Sequence, residues 1–291
     1  MKPAAFKYIA AASLDHALKL KADHGDDARF LAGGQSLIPM LNFRVAQPQV
    51  LIDLSALTRL SYVAHENSAI LRIGALTRYR TLERDPLIAE ALPLVREALP
   101  HIAHPQIRNR GTFGGNLAHA DPASELPAIV LALEGRLRAQ SVAGERWIDA
   151  RNFFVAPLTT ALQVDEMLIE VQLPARPARS GFCFMEIARR RGDFALMGVA
   201  IAMTLGVFGR CSHARVVLCG AGDTPVDVSE AAGGLIGQNL DNAAISHVAT
   251  LVQKAIDPPG NIHANKGFQR HLAGVLVERG LRIALERAHH G

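Results

Sequence analysis

Leu31-Ala32-Gly33-Gly34-Gln35-Ser36-Leu37-Ile38-Pro39 packs a strand end, a glycine pair and a helix start into nine residues. The run Arg29–Ala32 reads as a short strand that enters the glycines, and a short helix can begin at Ser36. Consecutive backbone N–H groups with a helix N-terminus behind them make a cradle for phosphate. A second stretch, Arg110-Gly111-Thr112-Phe113-Gly114-Gly115-Asn116, adds further N–H groups, the Thr112 hydroxyl and the Asn116 amide. A lone Gly-Gly is more often only a turn. Two in one region, both beside hydrogen-bonding side chains, match the two charged groups of a pyrophosphate.

Outward from these loops, strand and helix patterns alternate. Ser13 can cap a helix through about Ala22, with Asp15 in its first turn where the dipole favours an anion. Gln49–Leu54 and Ala69–Leu76 read as strands; in the latter Leu71, Ile73 and Ala75 share one face. Helical patterns cover Thr77–Glu90 and Leu94–Ile102, a loop covers Asn109–Asn116, and a helix runs from about Ser124 to Leu133. Leu137–Ser141 and Met167–Leu173 are strand-like, the second with the alternation of a half-buried strand. Pro174–Gly181 looks like a linker, because its two prolines forbid helix. Beyond it come strand-like Phe182–Arg189, Met197–Gly206 and Ala214–Gly220, then helical Asp241–Ile256 and Phe268–Ala288. Strands first and helices after suggest an α+β class, and neither part shows the regular βαβ rhythm of a doubly wound sheet. The expected domains are 1–175, in two pieces of about 1–57 and 58–175, and 180–291.

Composition narrows the function classes. A chain of 291 residues has room for about two domains. With 49% hydrophobic and 20% charged residues it reads as an ordinary soluble protein. The net charge of +4 is spread along the chain, whereas a nucleic-acid binder concentrates cations on one face. The longest apolar stretches, such as Met197–Val207, are too short to cross a bilayer. No export signal is read, which makes the cytoplasm the expected compartment. Cys183, Cys211 and Cys219 have no metal or redox spacing and are expected as buried free thiols; an ordinary iron–sulfur cluster wants four ligands. His101, His104 and His119 match no standard metal site, and no metal is expected. Gly220-Ala221-Gly222-Asp223-Thr224-Pro225 starts like a dinucleotide fingerprint, but Pro225 stands where the last glycine belongs.

The two glycine loops, with Leu51-Ile52-Asp53-Leu54, resemble the medium, FAD-binding subunit of the carbon monoxide dehydrogenase and xanthine dehydrogenase family, the molybdenum hydroxylases. So do the long block from Gln106 to Glu125 and the block Ile187–Leu196, in the same order along essentially the whole chain. The resemblance implies a two-part FAD-binding domain of the vanillyl-alcohol-oxidase/PCMH type, followed by a C-terminal domain of antiparallel strands and helices. It implies an oxidoreductase subunit that accepts electrons from the 2Fe-2S clusters of a small subunit, beside a large molybdopterin-binding subunit, in a dimer of heterotrimers. Carried over by position, the FAD contacts are Leu31, Ala32, Gly33, Gly34, Gln35, Ser36 and Leu37 in the first loop, with Thr112, Gly114, Gly115 and Asn116 in the second. Ile102, Glu125, Leu168 and Phe194 fall where relatives touch the cofactor. Glu125 stands where many relatives carry Asp, Phe194 where several carry Tyr, and Met185 where xanthine dehydrogenase-type members carry Lys. No catalytic acid or base is expected, because a cofactor does the redox chemistry. Two alternatives remain at this level: a stand-alone FAD-dependent oxidoreductase, and a nucleotide-binding module without redox turnover.

Overall fold

A computed structural model describes residues 2–290. The first portion comprises β1 (Lys7–Ala10), α1 (Leu14–His24), β2 (Ala28–Leu31), α2 (Leu37–Asn42) and β3 (Val50–Asp53). Its three strands form a parallel sheet in the order β1-β3-β2. Ser13 caps α1 as expected, its hydroxyl accepting from the His16 N–H at 3.1 Å. Ala17 and Leu18 of α1 pack on Val50 and Ile52. This portion corrects the expectation of no βαβ rhythm. The signal was weak because β1 is a mostly exposed edge strand of four residues and α2 has only six residues.

The second portion is built on an antiparallel sheet, order β4-β5-β10-β6-β7. In chain order it contains β4 (Val63–Asn67), β5 (Ile70–Gly74), α3 (Tyr79–Leu82), α4 (Pro86–Ala91), α5 (Pro93–Ala98), α6 (Pro105–Arg108), α7 (Phe113–His119), α8 (Glu125–Ala132), β6 (Arg136–Ser141), β7 (Gly144–Asp149), a small hairpin β8 (Phe154–Ala156) with β9 (Thr159–Thr160), and β10 (Met167–Pro174). The helix expected over Thr77–Glu90 is divided, because Asp85 caps a new helix whose first residue is Pro86. The loop expected over Asn109–Asn116 instead gives way to α7, with Thr112 as its N-cap.

The half-buried pattern expected of Met167–Leu173 is also corrected. β10 is the central strand and is buried at every residue from Met167 to Leu173. Glu170 is tolerated there because its Oε2 accepts from the Tyr62 hydroxyl, from Arg72 Nη2 at 2.5 Å and Nε at 2.9 Å, and from Arg138 Nη2 at 3.3 Å. A buried carboxylate persists only when paired in this way.

The third portion is the antiparallel sheet β11 (Ser180–Ala188), β12 (Ala195–Leu205), β13 (Cys211–Cys219) and β14 (Val226–Asp227), with α9 (Ser229–Ala232), α10 (Asn242–Ala255) and α11 (Lys266–His290). Side chains alternate between its two faces. Cys183, Val199, Ile201 and Leu218 meet residues of α10 and α11, such as Val252 and Leu281. Phe182, Phe184, Ala200, Val217 and Cys219 join the same core as Leu126, Ile129 and Val130 of α8. The third portion therefore shares a core with the second. All three cysteines are buried free thiols, as expected.

Candidate functional site

The two glycine-rich loops face each other across a cleft of about 860 Å³ between the first and second portions. That lies within the range of about 300–1,000 Å³ typical of small-molecule sites. Gly33 is where the walls touch: a Cβ there would overlap the Arg110 carbonyl oxygen and lie 2.8 Å from Gly111 Cα. Gly34 turns the chain through φ +72, the left-handed region that glycine enters without penalty.

The donors of the first loop are free. Among the described residues, no backbone N–H from Gly33 through Leu37 is given to another protein group. Three of their carbonyls, by contrast, are in use: Gly34 accepts from Ile38 N and Ser36 from Met40 N, and Gly33 accepts from the Gln35 amide at 2.9 Å. Five consecutive N–H groups without a protein acceptor among the described residues line the cleft, and an anion can satisfy such donors.

The second loop contributes differently. The N–H groups of Phe113 and Gly114 are taken by the carbonyls of Thr77 and Ala75, at 2.9 and 2.8 Å. Gly115 N–H donates to the Thr112 hydroxyl at 3.2 Å. What this loop turns toward the cleft is the Thr112 hydroxyl, whose own hydrogen is unspent, and Asn116, held by mutual hydrogen bonds with Ser124. Gly114 lets α7 sit directly on Ala75, since a Cβ would lie 2.8 Å from the Ala75 carbonyl oxygen.

Of the residues expected at the site, Ala32–Leu37, Thr112, Gly114, Gly115, Asn116 and Leu168 line the cleft. Leu31 lies just behind it; its carbonyl accepts from Leu54 N, tying the loop to β3. Ile102, Glu125 and Phe194 do not line it. Ile102 is buried, and its carbonyl accepts from Arg108 Nη1 at 3.0 Å. Glu125 is buried at the start of α8, one residue from the Ser124 that holds Asn116. Phe194 is 69% exposed on the β11–β12 turn, whose Gly192 packs against Ala103 and His104.

Several cleft residues gave no sequence signal. Tyr79 is buried beside Gly111, where a Cβ would lie 2.5 Å from its ring, and burial pushes its phenol well above the ordinary range. Lys21 and Arg29 line the end beyond the first loop. Lys21 Nζ is spent on the carbonyls of Gly25 and Ala28, at 2.6 and 2.9 Å, and burial lowers its pKa. The periodicity of α1 marks Lys21 only as a helix residue; its role comes from the turn into β2. No group of three or more metal-binding side chains occurs among the described residues, and none of their helices is long and apolar enough to cross a membrane.

Comparison with known proteins agrees with this geometry. Residues 4–176 match the FAD binding domain in molybdopterin dehydrogenase, and residues 182–284 the CO dehydrogenase flavoprotein C-terminal domain. The chain is 42% identical over 288 residues to the 6-hydroxypseudooxynicotine dehydrogenase complex subunit alpha of Paenarthrobacter nicotinovorans, covering 99% of this chain and 97% of that one. It is 33% identical to the carbon monoxide dehydrogenase medium chain of Hydrogenophaga pseudoflava, with 99% of each chain covered. Among solved structures, carbon monoxide dehydrogenase from Hydrogenophaga pseudoflava superposes with a TM-score of 0.95 at 34% identity, covering 99% of each chain. Matched from end to end in sequence and in fold, the chain belongs to the FAD-binding medium subunits of the molybdenum hydroxylase family.

Proposed function

We propose that this chain takes electrons from the 2Fe-2S clusters of a small partner subunit and passes them to an external acceptor, beside a large molybdopterin-binding subunit. The observation that carries the reading is the row of five unspent N–H groups, Gly33–Leu37, opposite Thr112 and Asn116 in a cleft of about 860 Å³. Such a cradle suits the diphosphate of FAD: it supplies fixed dipoles without burying a counter-charge. When bound, FAD supplies the two-electron to one-electron conversion, which no side chain can perform.

The chain's own residues bind and orient. Ala32, Gly33, Gly34, Gln35, Ser36 and Leu37 hold one phosphate wall; on the other, Thr112 and Asn116 offer side-chain groups, while Gly114 and Gly115, whose N–H groups are spent, let that wall pack closely. Leu31 and Leu168 give apolar backing. Ile102, Glu125 and Phe194 belong to the flavin end in this reading. Relatives named as medium chains or subunits of dehydrogenase complexes support a heteromeric assembly, and a dimer of heterotrimers is the arrangement we favour.

The test is an absorbance spectrum of the purified chain, with the released cofactor identified by mass, followed by co-purification from its native host. Flavin bands, an FAD mass, and two companion chains carrying iron–sulfur and molybdenum are expected. A colourless protein that also refuses added FAD would overturn the proposal.

A further inference from the structure

Arg108 is buried on α6, two residues before the Arg110 carbonyl that meets Gly33. Its guanidinium spans three acceptors: Nε donates to Glu83 Oε1 at 2.7 Å, and Nη1 to the carbonyls of Ile102 and Ala103 at 3.0 and 3.1 Å. Glu83 is buried at the C-terminal end of α3, and its other oxygen accepts from Arg80 Nη1 at 3.2 Å. A buried ion pair adds little net stability over apolar packing of the same volume. What a planar guanidinium adds is direction, since its donors point along fixed lines.

Two parts of the chain take their places from this group. On one side, α3 and α6 carry the second glycine loop. Tyr79 N donates to the Gly111 carbonyl at 3.1 Å, Gly111 N to the Ile107 carbonyl at 2.7 Å, and Glu83 N to the Tyr79 carbonyl at 2.8 Å. On the other side lies the turn at Ile102 and Ala103, where Ala103 takes φ +45. The Ala103 carbonyl oxygen that Arg108 holds is also the floor under Gly192 of the β11–β12 turn. A Cβ on Gly192 would lie 2.8 Å from that oxygen and 2.6 Å from His104 Cε1, and its φ is +87. Glycine alone suits this seat, and Phe194 follows two residues later. Neither Glu83 nor Arg108 lines the cleft, so they act on it through the backbone they hold.

We propose that Glu83 and Arg108 are positioning residues for the flavin end. One guanidinium fixes the Ile102–Ala103 turn against the second glycine loop, and through Gly192 it seats the turn that carries Phe194. The inference rests on the FAD reading above, which sets Ile102 and Phe194 beside the flavin. The glycine loops hold the diphosphate; this pair sets how the ring is flanked.

The test combines hydrogen exchange of the FAD-free full chain with visible circular dichroism of the FAD-loaded chain. Arg108→Lys keeps the charge but gives one ammonium in place of the fork. Amides 190–194 should then exchange about tenfold faster, the effect of one lost charge-assisted hydrogen bond, with β10 unchanged. Glu83→Ala should do likewise, and Glu83→Gln, which keeps an oxygen for Arg108 Nε, should restore the wild-type rate. Gly192→Ala leaves the buried pair intact, should also speed exchange at 190–194, and decides the matter should Arg108→Lys fail to fold. In the loaded chain the flavin bands should shift in Arg108→Lys and Gly192→Ala and stay in place in Glu83→Gln, with FAD affinity changed far less than in Gly34→Val. Unchanged exchange at 190–194 in these variants overturns the linkage. Faster exchange with unmoved flavin bands overturns the placement at the flavin end. A wild-type chain that binds no FAD overturns the FAD reading, while the exchange rates still decide the linkage.

Discussion

Gly33 and Arg110 meet so closely that the carbonyl of one loop fills the place a side chain would take on the other. The two walls of the cleft therefore touch backbone to backbone at this point. Gly33→Ala should wedge the loops apart and weaken FAD retention at least tenfold, about 1.4 kcal/mol. Fluorescence titration of the FAD-free variant checks it; wild-type affinity would remove this contact from the cofactor cradle.

Gly34→Val acts through the backbone. At φ +72 a β-branched residue is strained by about 1–3 kcal/mol, and its Cβ would lie 3.1 Å from Ile38 Cγ1. Gly115→Val would put a Cβ 2.5 Å from Thr112 Oγ1 and disturb the cap of α7. Both variants should purify with little or no FAD. Full occupancy in both would defeat the two-loop cradle.

Glu170→Ala leaves Arg72, Arg138 and Tyr62 without the carboxylate they converge on. Removing one partner of a buried ion pair costs on the order of 3–5 kcal/mol. Chemical denaturation should show a loss of that size, whereas Arg136→Ala, on an exposed surface pair with Asp149, should change stability by less than about 1 kcal/mol.

Glu125 sets a pH dependence of folding. Its carboxyl is raised to about 8 in the folded chain, so the unfolded chain releases this proton at lower pH. The resulting stabilisation is complete below the ordinary carboxylate range and is lost as pH rises towards about 8, a change on the order of a few kcal/mol. Melting curves between pH 5 and 9 should fall more steeply for wild type than for Glu125→Gln. Parallel curves would mean that Glu125 is ionised in the folded state.

Phe194 is exposed on the β11–β12 turn, and the proposed reading sets it at the flavin end. Phe194→Ala should alter flavin absorbance and the rate of acceptor reduction more than FAD affinity. An unchanged spectrum together with an unchanged rate would take Phe194 off the flavin face.

The glycine loops were legible because their chemistry is local: Gly33 and Gly34 follow a strand and precede a helix, and that order alone makes a cradle. The strands of the third portion were equally plain, since β12 is eleven residues long with Thr204 its one polar side chain. Other features depend on partners remote in sequence. Met167–Leu173 alternates as a half-buried strand, and only the side chains of Tyr62, Arg72 and Arg138 explain how Glu170 is buried. Tyr79 joins the cleft through Gly111, more than thirty residues on. The shared core of α8 and the sheet β11–β14 needs two portions of the chain to dock, which no local pattern announces.

The sheet β11–β14 lends one face to the core around α8, and the connector 175–179, exposed from 176 to 179, is all that joins it covalently to β10. A protease that severs this connector would cut the chain without parting it. The nicked protein should run as two bands under denaturing conditions and as one particle under native ones. The peptide link here is a convenience of synthesis, and the greasy face beneath it is the actual bond between the halves.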